Sequence, residues 1–433
     1  MKPTVAILTL GCKVNQYESE AIAERFAAEG FTVKTARDVC DIYVINTCTV
    51  TAEADRKAGQ LVRRVHAKNP NAYILLTGCF SQSDPTRAAE IEGVDDVCGN
   101  NDKLSVVNAA RRLLANGVKN ATPSVRVDDI MCAPFEPMQI THFDRTRAYV
   151  KIEDGCENRC TYCAIPAARG KVRSKPLAEV IAEVTGLVNG GCREVVLTGI
   201  ETASWGRDLD GVTLADLLEA VDALPNIGRV RLGSLDPSLF REDFVKRIAR
   251  LKSLAPHFHI SMQSGSSRVL ALMKRKYNAD QAMQAIERLR RHIPDAELTT
   301  DFIVGFPGEA DEDFAATMDF AKRAEFLSMH VFAYSRRKGT IAAELPQQVP
   351  NGVKKERSAA LSALGEELRN ARLARALTTP VREVLFETYE NGYAVGHTAS
   401  FLEVAVPSPA PLRSELHTVT LVTAENGRLI GTL

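Results

Sequence analysis

Residues 148–163 read AYVKIEDGCENRCTYC. A short apolar run stops at Gly155, and the loop that follows carries Cys156, Cys160 and Cys163. Thiolates hold iron–sulfur clusters, and tight spacing lets one loop supply several of them. Three thiolates on a four-iron cube leave one iron without a protein ligand. Such an iron is free to bind a substrate, much as an open position separates catalytic from structural zinc. A zinc site would want a fourth Cys or His close by, and none lies between Cys163 and Cys192. Three structural thiols packed into eight residues would be a coincidence, so the cluster is the stronger reading.

Working outward, five further apolar runs follow: REVVLTGI (193–200), RVRLGS (229–234), HFHISMQ (257–263), LTTDFIVGF (298–306) and LSMHVFAYS (327–335). Helical stretches separate them, such as PLAEVIAEVTGLVNGG (176–191) and the segment around 311–326. Six βα units predict a partial TIM-type (β/α)6 barrel over residues 142–350. Sites in such a layout form at the C-terminal ends of the strands, where the cysteine loop lies.

Residues 1–130 alternate in the same manner. Strands are predicted near 4–10, 42–46, 73–78 and 94–98, with helices over 17–30, 53–70 and 101–117. This predicts a parallel α/β sandwich with helices on both faces, of the flavodoxin-like kind. Three of its strands end on a thiol: ILTLGC at Cys12, YVINTC at Cys48 and YILLTGC at Cys79. In a parallel sheet the C-terminal strand ends share one edge, where a crevice forms. Three thiols distant in sequence should therefore converge as a second three-cysteine site, although Cys also packs as a small hydrophobe. Cys40, Cys98, Cys132 and Cys192 have no partner spacing and read as core or incidental thiols.

The Pro-rich segment 131–147 reads as a linker. Residues 351–377 read as one amphipathic connecting helix. Residues 378–433 switch to short strands, with ENG turns at 390–392 and 425–427 that mark hairpins, which suits a small antiparallel β-barrel.

Bulk charge excludes little. Lys plus Arg equals Asp plus Glu at 54 each, so any basic surface must be local. No apolar run approaches the roughly 20 residues needed to span a bilayer. The start of the chain lacks a cleavage pattern and reads as a first strand of a cytoplasmic protein. In a chain without a secretion signal, thiols point to metal binding or catalysis over disulfides.

The Cys-x3-Cys-x2-Cys spacing, with an aromatic Tyr162 before the last thiol, resembles that of the radical SAM enzymes. Longer stretches narrow the resemblance. TLGCKVNQYESE, INTCTVTAEADRK and TGCFSQ are similar to the N-terminal domain of the methylthiotransferases. GCENRCTYCAIPAARGKVRSKP, LTGIETASWG, RLGSLDP, FHISMQSGSSRVLALMKRKY and DFIVGFPGE are similar to their barrel, and the C-terminal module resembles their TRAM domain. GCKVNQYESE and HVFAYSRRKGTIAAELPQQVP look most like the MtaB type, which converts N6-threonylcarbamoyladenosine beside the tRNA anticodon to its 2-methylthio form. The resemblance implies two [4Fe–4S] clusters, one on Cys12, Cys48 and Cys79 and one on Cys156, Cys160 and Cys163. It implies S-adenosyl-L-methionine (SAM) in two uses, as methyl donor and as radical source. The partners implied are the anticodon loop of tRNA, an electron donor such as flavodoxin or ferredoxin, and a sulfur donor.

Position and analogy then suggest contacts to SAM: Gly199 and Glu201 for its ammonium, Arg231 and Ser234 for its carboxylate or ribose, Gln263 and Ser264 for its adenosyl group. The Gly/Pro turn at 305–309 would let backbone approach the adenine, and Trp205 would pack at the site rim. Local basic groups fall in four sets: Arg56, Lys57, Arg63 and Arg64; Arg169, Lys171, Arg173 and Lys175; Lys274, Arg275 and Lys276; Arg336, Arg337 and Lys338. Any one set is usually a solvated face, but two of them follow barrel strand ends, which favours phosphate contact. The C-terminal module opposes this with three Arg against six Glu over 381–433, a net charge of −3. That keeps open the RimO-type sister acting on a ribosomal-protein aspartate, although Lys13-Val14-Asn15 departs from its usual pattern. Methylthiolation of isopentenyl-adenosine and an iron–sulfur RNA-binding regulator without turnover also remain.

Overall fold

The computed structural model describes residues 2–119, 122–143 and 145–433. Its N-terminal unit runs β1 Thr4–Thr9, α1 Lys13–Ala28, β2 Thr32–Lys34, β3 Ile42–Thr47, α2 Ala52–Lys68, β4 Tyr73–Gly78, α3 Cys79–Ser83, α4 Pro85–Ala89, β5 Asp96–Cys98, α5 Val106–Asn116 and β6 Ser124–Arg126. The strands form one parallel sheet in the order β2-β1-β3-β4-β5-β6. Strands buried on both faces read as unbroken apolar runs, and β3 and β4 are buried along their whole length. Ala6, Tyr43, Ile45, Ile74 and Leu76 pack with Val62 and Val65 of α2 on one face. Val5, Ile42, Val44 and Leu75 pack with Ile22, Phe26 and Val107 on the other. The short edge strands β2 and β6 escaped the sequence pattern.

Helix α1 starts at Lys13, directly after Cys12, four residues before the periodic apolar pattern that predicts it. Its first turns read as polar loop because Asn15 and Glu18 point to buried partners in the barrel, not to solvent.

The barrel unit comprises β7 Ala148–Lys151, β8 Glu153–Asp154, α6 Ile165–Arg169, β9 Arg173–Ser174, α7 Leu177–Asn189, β10 Glu194–Thr198, α8 Leu214–Asp222, β11 Arg229–Leu232, β12 Ser234–Leu235, α9 Glu242–Ile248, β13 His257–Gln263, α10 Ser267–Leu272, α11 Ala279–His292, β14 Glu297–Val304, α12 Asp311–Ala324, β15 Ser328–Ala333 and α13 Ile341–Glu344. β11 and β12 are one strand broken at Gly233. The six strands are parallel throughout and run β7-β10-β11/β12-β13-β14-β15, with β7 and β15 as unpaired edges. Helix α1 packs against β7 at this open seam, and α14, Asn351–Ala376, packs against β15.

Registers put Tyr149, Val196 and Arg231 side by side, and Ser234, His259, Thr299 and Ser328 side by side. Tyr149, Val196, Arg231, His259, Thr299 and Ser328 line an internal cavity of about 440 Å³. A closed TIM barrel fills its interior with layers of branched apolar side chains; this open barrel keeps a polar hollow.

The C-terminal module is a closed barrel of β16 Val381–Glu390, β17 Tyr393–Thr398, β18 Glu403–Pro407, β19 Leu416–Glu425 and β20 Arg428–Thr432. Its hairpins turn at Asn391-Gly392 and Asn426-Gly427, all four residues at positive φ as such tight turns demand. One pair departs from the expected antiparallel pattern, since β18 and β20 run parallel. The acidic balance has a structural outlet. Glu387 takes both Nη groups of Arg147 at 2.8 and 2.5 Å. Glu383 pairs with Arg229 at 2.9 Å. Phe401 stacks between His257 and His397 at 4.6 and 4.5 Å and lies under Arg231 at 4.8 Å. The module thus caps the N-terminal mouth of the large barrel, with part of its negative charge spent on that contact.

Candidate functional site

The N-terminal thiols stand where the strands end. Cys12 follows β1, Cys48 follows β3 and Cys79 follows β4. β1 and β3 flank the point where strand order reverses, the usual crevice of such sheets. Two glycines explain the runs that finish on a thiol. Gly11 has φ +106°, and a Cβ there would lie 2.8 Å from Cys48 Cβ. Gly78 has φ +99°, and a Cβ would strike the Thr47 carbonyl at 2.4 Å. Without side chains the turns close on one another and bring the thiols together. Asn15 ties them, its Nδ2 donating to the carbonyls of Leu10 and Thr47 at 2.7 and 2.9 Å. Burial pushes the Cys48 thiol up to about 11, with Cys79 and Cys12 adding to the shift. Cys12 keeps an exposed surface, but desolvation by its crowded surroundings raises its thiol, opposed by Arg169 and reinforced by Cys79. The three sulfurs act on one another, so the strand ends do converge.

The barrel loop is pinned by its neighbours. Gly155 at φ +89° lets the chain pass Lys171, whose carbonyl would sit 1.8 Å from an added Cβ. The Cys156 N–H donates to Gly170 O at 3.0 Å, and the Ile165 N–H donates to Cys163 Sγ at 3.4 Å. Arg275 Nη1 donates to Cys160 Sγ at 3.4 Å while its Nη2 holds Asp236 at 2.9 Å. Tyr162 meets Phe306 edge-on with centroids 6.4 Å apart. Burial pushes Cys156 up to about 12, and the Glu201 carboxylate adds to it. Cys163 is raised by burial to about 11. Thiols this reluctant to ionise become ligands when a metal supplies the compensating charge.

Arg169, fully buried in α6 just past the loop, joins the two trios. Its Nε donates to Cys79 Sγ at 3.2 Å, Nη2 to Asn15 Oδ1 at 2.6 Å and Nη1 to Glu18 Oε1 at 2.5 Å. Asp154 faces the same guanidinium at 3.2 Å. Glu18 also pairs with Lys103 and with Lys151. Burial would raise the Glu18 carboxyl, but Arg169, Lys103 and Lys151 outweigh it and hold it well below the usual range. Asn15, Glu18 and Arg169 carry the geometry between the trios, and the first two stand inside the NQYESE stretch.

This corrects the second basic set. Arg169, Arg173 and Lys175 are buried in ion pairs with Glu18, Asp154 and Glu183, so only Lys171 faces solvent. Arg275 is turned inward onto Cys160, and Arg337 is committed to Asp55 and Thr49. Lys274, Lys276, Lys338 and the helix set Arg56, Lys57, Arg63 and Arg64 stay on the surface.

The expected SAM contacts divide. Glu201 lines a cavity of about 580 Å³ with Asn158, Trp205, Asp236 and Lys276. Asn158, from the cysteine loop, donates to its Oε2 at 2.8 Å. Burial pushes Glu201 up to about 7, with Asp236 adding to it. Gly199 packs on Glu153, whose Oε2 an added Cβ would approach to 2.5 Å. Trp205 is buried, its Nε1 donating to Lys175 O at 3.0 Å. Ser234 lies beside His259 in register, and Gln263 bends the end of β13 at φ +66°. Arg231 does not reach the cysteine loop. Its side chain turns to the opposite end, onto Glu194 at 2.7 Å and the Ala399 carbonyl at 3.0 Å. Ser264 is buried against Thr317 of α12, where its hydroxyl accepts from the Ser266 N–H. A Cβ on Gly305 would meet Lys354 Cγ at 2.4 Å, so that turn serves packing against α14.

The thiol sets do not close on a single ion. Ligands of one zinc ion, at about 2.3 Å each, crowd within about 4.6 Å of one another. Among the described residues, the trio that does so is His259, Asp301 and His330, and neither thiol set closes that tightly. Each thiol set also receives an arginine N–H on one sulfur, as cluster thiolates accept hydrogen bonds.

Comparison with known proteins agrees with the geometry. The Radical SAM superfamily matches residues 150–321, and the uncharacterized protein family UPF0004 matches residues 4–99. A threonylcarbamoyladenosine tRNA methylthiotransferase, MtaB, of Bacillus subtilis is 38% identical over 97% of this chain and 94% of its own length. The Thermotoga maritima MtaB is 40% identical over 89% of this chain and 87% of its own. A tRNA-2-methylthio-N(6)-dimethylallyladenosine synthase of Mycobacterium bovis is 35% identical over 89% of this chain and 77% of its own. The fold is shared with the radical S-adenosylmethionine methyltransferase TsrM of Kitasatospora setae, with TM-score 0.56 at 17% identity over 79% of this chain and 77% of that one. Membership of the superfamily implies a [4Fe–4S] cluster and SAM. Identity at this level over nearly the whole length places the chain in the radical SAM methylthiotransferase family.

Proposed function

We propose that this protein converts N6-threonylcarbamoyladenosine at position 37 of tRNA to its 2-methylthio derivative. In this reading Cys156, Cys160 and Cys163 hold one [4Fe–4S] cluster, and Cys12, Cys48 and Cys79 hold a second. The observation that carries it is the pair of three-thiol sets at the C-terminal edges of two parallel sheets, joined through Arg169. Relatives aligned over nearly the full length carry that activity in their names.

The target is an unactivated aromatic C–H bond, beyond the reach of a general base or ordinary nucleophile. Bound cluster and SAM supply the one-electron cleavage chemistry that activates it. The residues supply placement. Glu201, at the end of β10 beside the cysteine loop, is poised as a carboxylate for the SAM ammonium. Arg275 and Arg169 orient one sulfur of each set and offset its negative charge. Glu18, Asp154, Lys103 and Lys151 lock the two units, so the sets keep one separation. The anticodon loop is single-stranded, so splaying out one base costs little. A tRNA substrate sets the reaction in the cytoplasm, with a flavodoxin- or ferredoxin-like electron donor; Lys274, Lys276 and Lys338 offer phosphate contacts.

Mass spectrometry of tRNA nucleosides from a deletion strain tests this. Loss of the 2-methylthio form with accumulation of threonylcarbamoyladenosine is expected, restored by the wild-type gene. An unchanged tRNA profile, or loss of a methylthio-isopentenyl nucleoside instead, overturns it.

A further inference from the structure

Three neighbouring strands of the large barrel each bring one metal-ligating side chain to the same place. Registers pair His259 of β13 with Thr299 of β14, and Asp301 of β14 with His330 of β15. Thr299 and Asp301 are two residues apart on one strand, so both take the same face of the sheet. His259, Thr299 and His330 line the 440 Å³ hollow, which makes that face the inner one. One donor atom from each of His259, Asp301 and His330 lies within 4.8 Å of the other two. His259 Nε2 stands 3.2 Å from Asp301 Oδ2, and His330 Nδ1 stands 3.0 Å from Asp301 Oδ1. Neighbouring ligands that each lie about 2.1 Å from a zinc ion stand about 3–3.5 Å apart, in agreement with both separations.

The trio is supported from behind. All three residues stand on strands, which hold a ligand set more exactly than loops do. His259 Nδ1 meets Thr299 Oγ1 at 2.9 Å, so Nε2 is the nitrogen turned to Asp301. A metal-ligating histidine keeps its other ring nitrogen on such a partner, which sets its tautomer and orientation. Thr299 Oγ1 in turn meets His257 Nε2 at 3.1 Å. His259 and Asp301 are half-buried and His330 is exposed. The trio therefore opens on the His330 side, where an ion can enter and water can complete its coordination.

The donor types narrow the ion. Magnesium and calcium take oxygen ligands. Two imidazoles and one carboxylate with open positions suit zinc or ferrous iron. The nearby cations leave room for it. Arg147 and Arg231 are neutralised by Glu194 and Glu387. Lys13 also acts on Asp301, but it is an exposed residue whose ammonium can turn to solvent.

We propose that His259, Asp301 and His330 bind one divalent transition-metal ion of the zinc or ferrous class. The site is separate from both thiol sets, since none of the six cysteines lines the hollow. Its ion ties β13 and β14 to the open edge strand β15 and keeps its remaining positions for water or another oxygen donor. The proposal holds whichever base the enzyme modifies.

Zinc alone is the probe, added anaerobically to reconstituted holoenzyme. Equilibrium dialysis with elemental analysis counts the metals, and zinc K-edge absorption reads the ligands. About one zinc per chain is expected at unchanged iron content, with a nitrogen and oxygen shell at about 2.0–2.1 Å and no sulfur at about 2.3 Å. His330→Ala and Asp301→Asn should each weaken zinc binding about tenfold or more, a loss that even an outer-shell partner can give. His292→Ala removes a histidine paired with Glu242 elsewhere on the barrel and should leave binding unchanged. No retained zinc, a sulfur shell, unaltered binding in His330→Ala, or an equal loss in His292→Ala each overturns the proposal. If Asp301→Asn does not fold, His330→Ala decides, because its side chain is exposed. No tRNA enters the experiment, so its failure leaves the substrate reading where it stands.

Discussion

Arg169 Nε lies 3.2 Å from Cys79 Sγ, so a buried side chain of the barrel reaches a thiol at the edge of the N-terminal sheet. The same guanidinium meets Glu18 and Asp154 at 2.5 and 3.2 Å. Removing one partner of a buried ion network leaves charge uncompensated, at a cost of about 3–5 kcal/mol. Arg169→Met is expected to lose about that much in urea unfolding of the apo-protein. An unfolding midpoint equal to wild type would show that the network contributes no stability.

Arg275 plays the matching part at Cys160. A donor to a cluster sulfur favours the reduced, more negative state and raises the potential. Deleting a charge-assisted bond of about 1.5 kcal/mol corresponds to about 60 mV for a one-electron couple. Arg275→Met should therefore shift the barrel cluster to a more negative potential by about that amount, read by electrochemical titration. A potential unchanged or raised would mean the contact does not persist on the bound cluster.

Much of this was legible in the chain. The alternation of apolar runs and helices gave both parallel sheets, and the thiol at the end of three N-terminal strands marked their shared edge. What escaped notice is long-range. Nothing near Arg169 announces that its partners are Glu18 and Asn15, 151 and 154 residues away. A basic cluster written RGKVRSK looks like a phosphate-binding surface, and only packing shows that three of its four cations are buried. Arg231 misled for a related reason: a strand position fixes which face a side chain takes but not which end of the barrel it bends toward. The acidic C-terminal module was at odds with RNA binding until Glu383 and Glu387 were found on Arg229 and Arg147.

With Glu201 as the proposed partner of the SAM ammonium, SAM binding should depend on pH. Burial and Asp236 push its carboxyl up to about 7, so the group is protonated below that and anionic above. An ammonium needs the anion. SAM affinity should rise between pH 6 and 8, and Glu201→Gln should flatten that dependence and weaken binding at pH 8, measured by calorimetry. Linkage runs the other way for folding: the native state binds more protons than the unfolded chain between about 4.5 and 7, so this group's contribution falls as pH rises through that window. A pH-independent SAM affinity in wild type would remove Glu201 from the cofactor.

Phe401 fastens the C-terminal module. It is a non-glycine residue at φ +71°, stacked between two histidine rings under Arg231. Phe401 is half-buried, so its truncation should cost less than the about 3–5 kcal/mol of a core aromatic. Phe401→Ala should free the module for cleavage near residues 377–380 in limited proteolysis, with the large barrel left intact. Resistance equal to wild type would show that the Glu383 and Glu387 pairs suffice.

The central claim is that the chain carries two separate cubes, and iron counting with Mössbauer spectroscopy on anaerobically reconstituted protein tests it most directly. Wild type should hold about eight irons per chain, Cys48→Ala and Cys160→Ala about four each, and only Cys48→Ala should still cleave SAM. About four irons in wild type, or equal loss of SAM cleavage in both folded variants, would contradict the account.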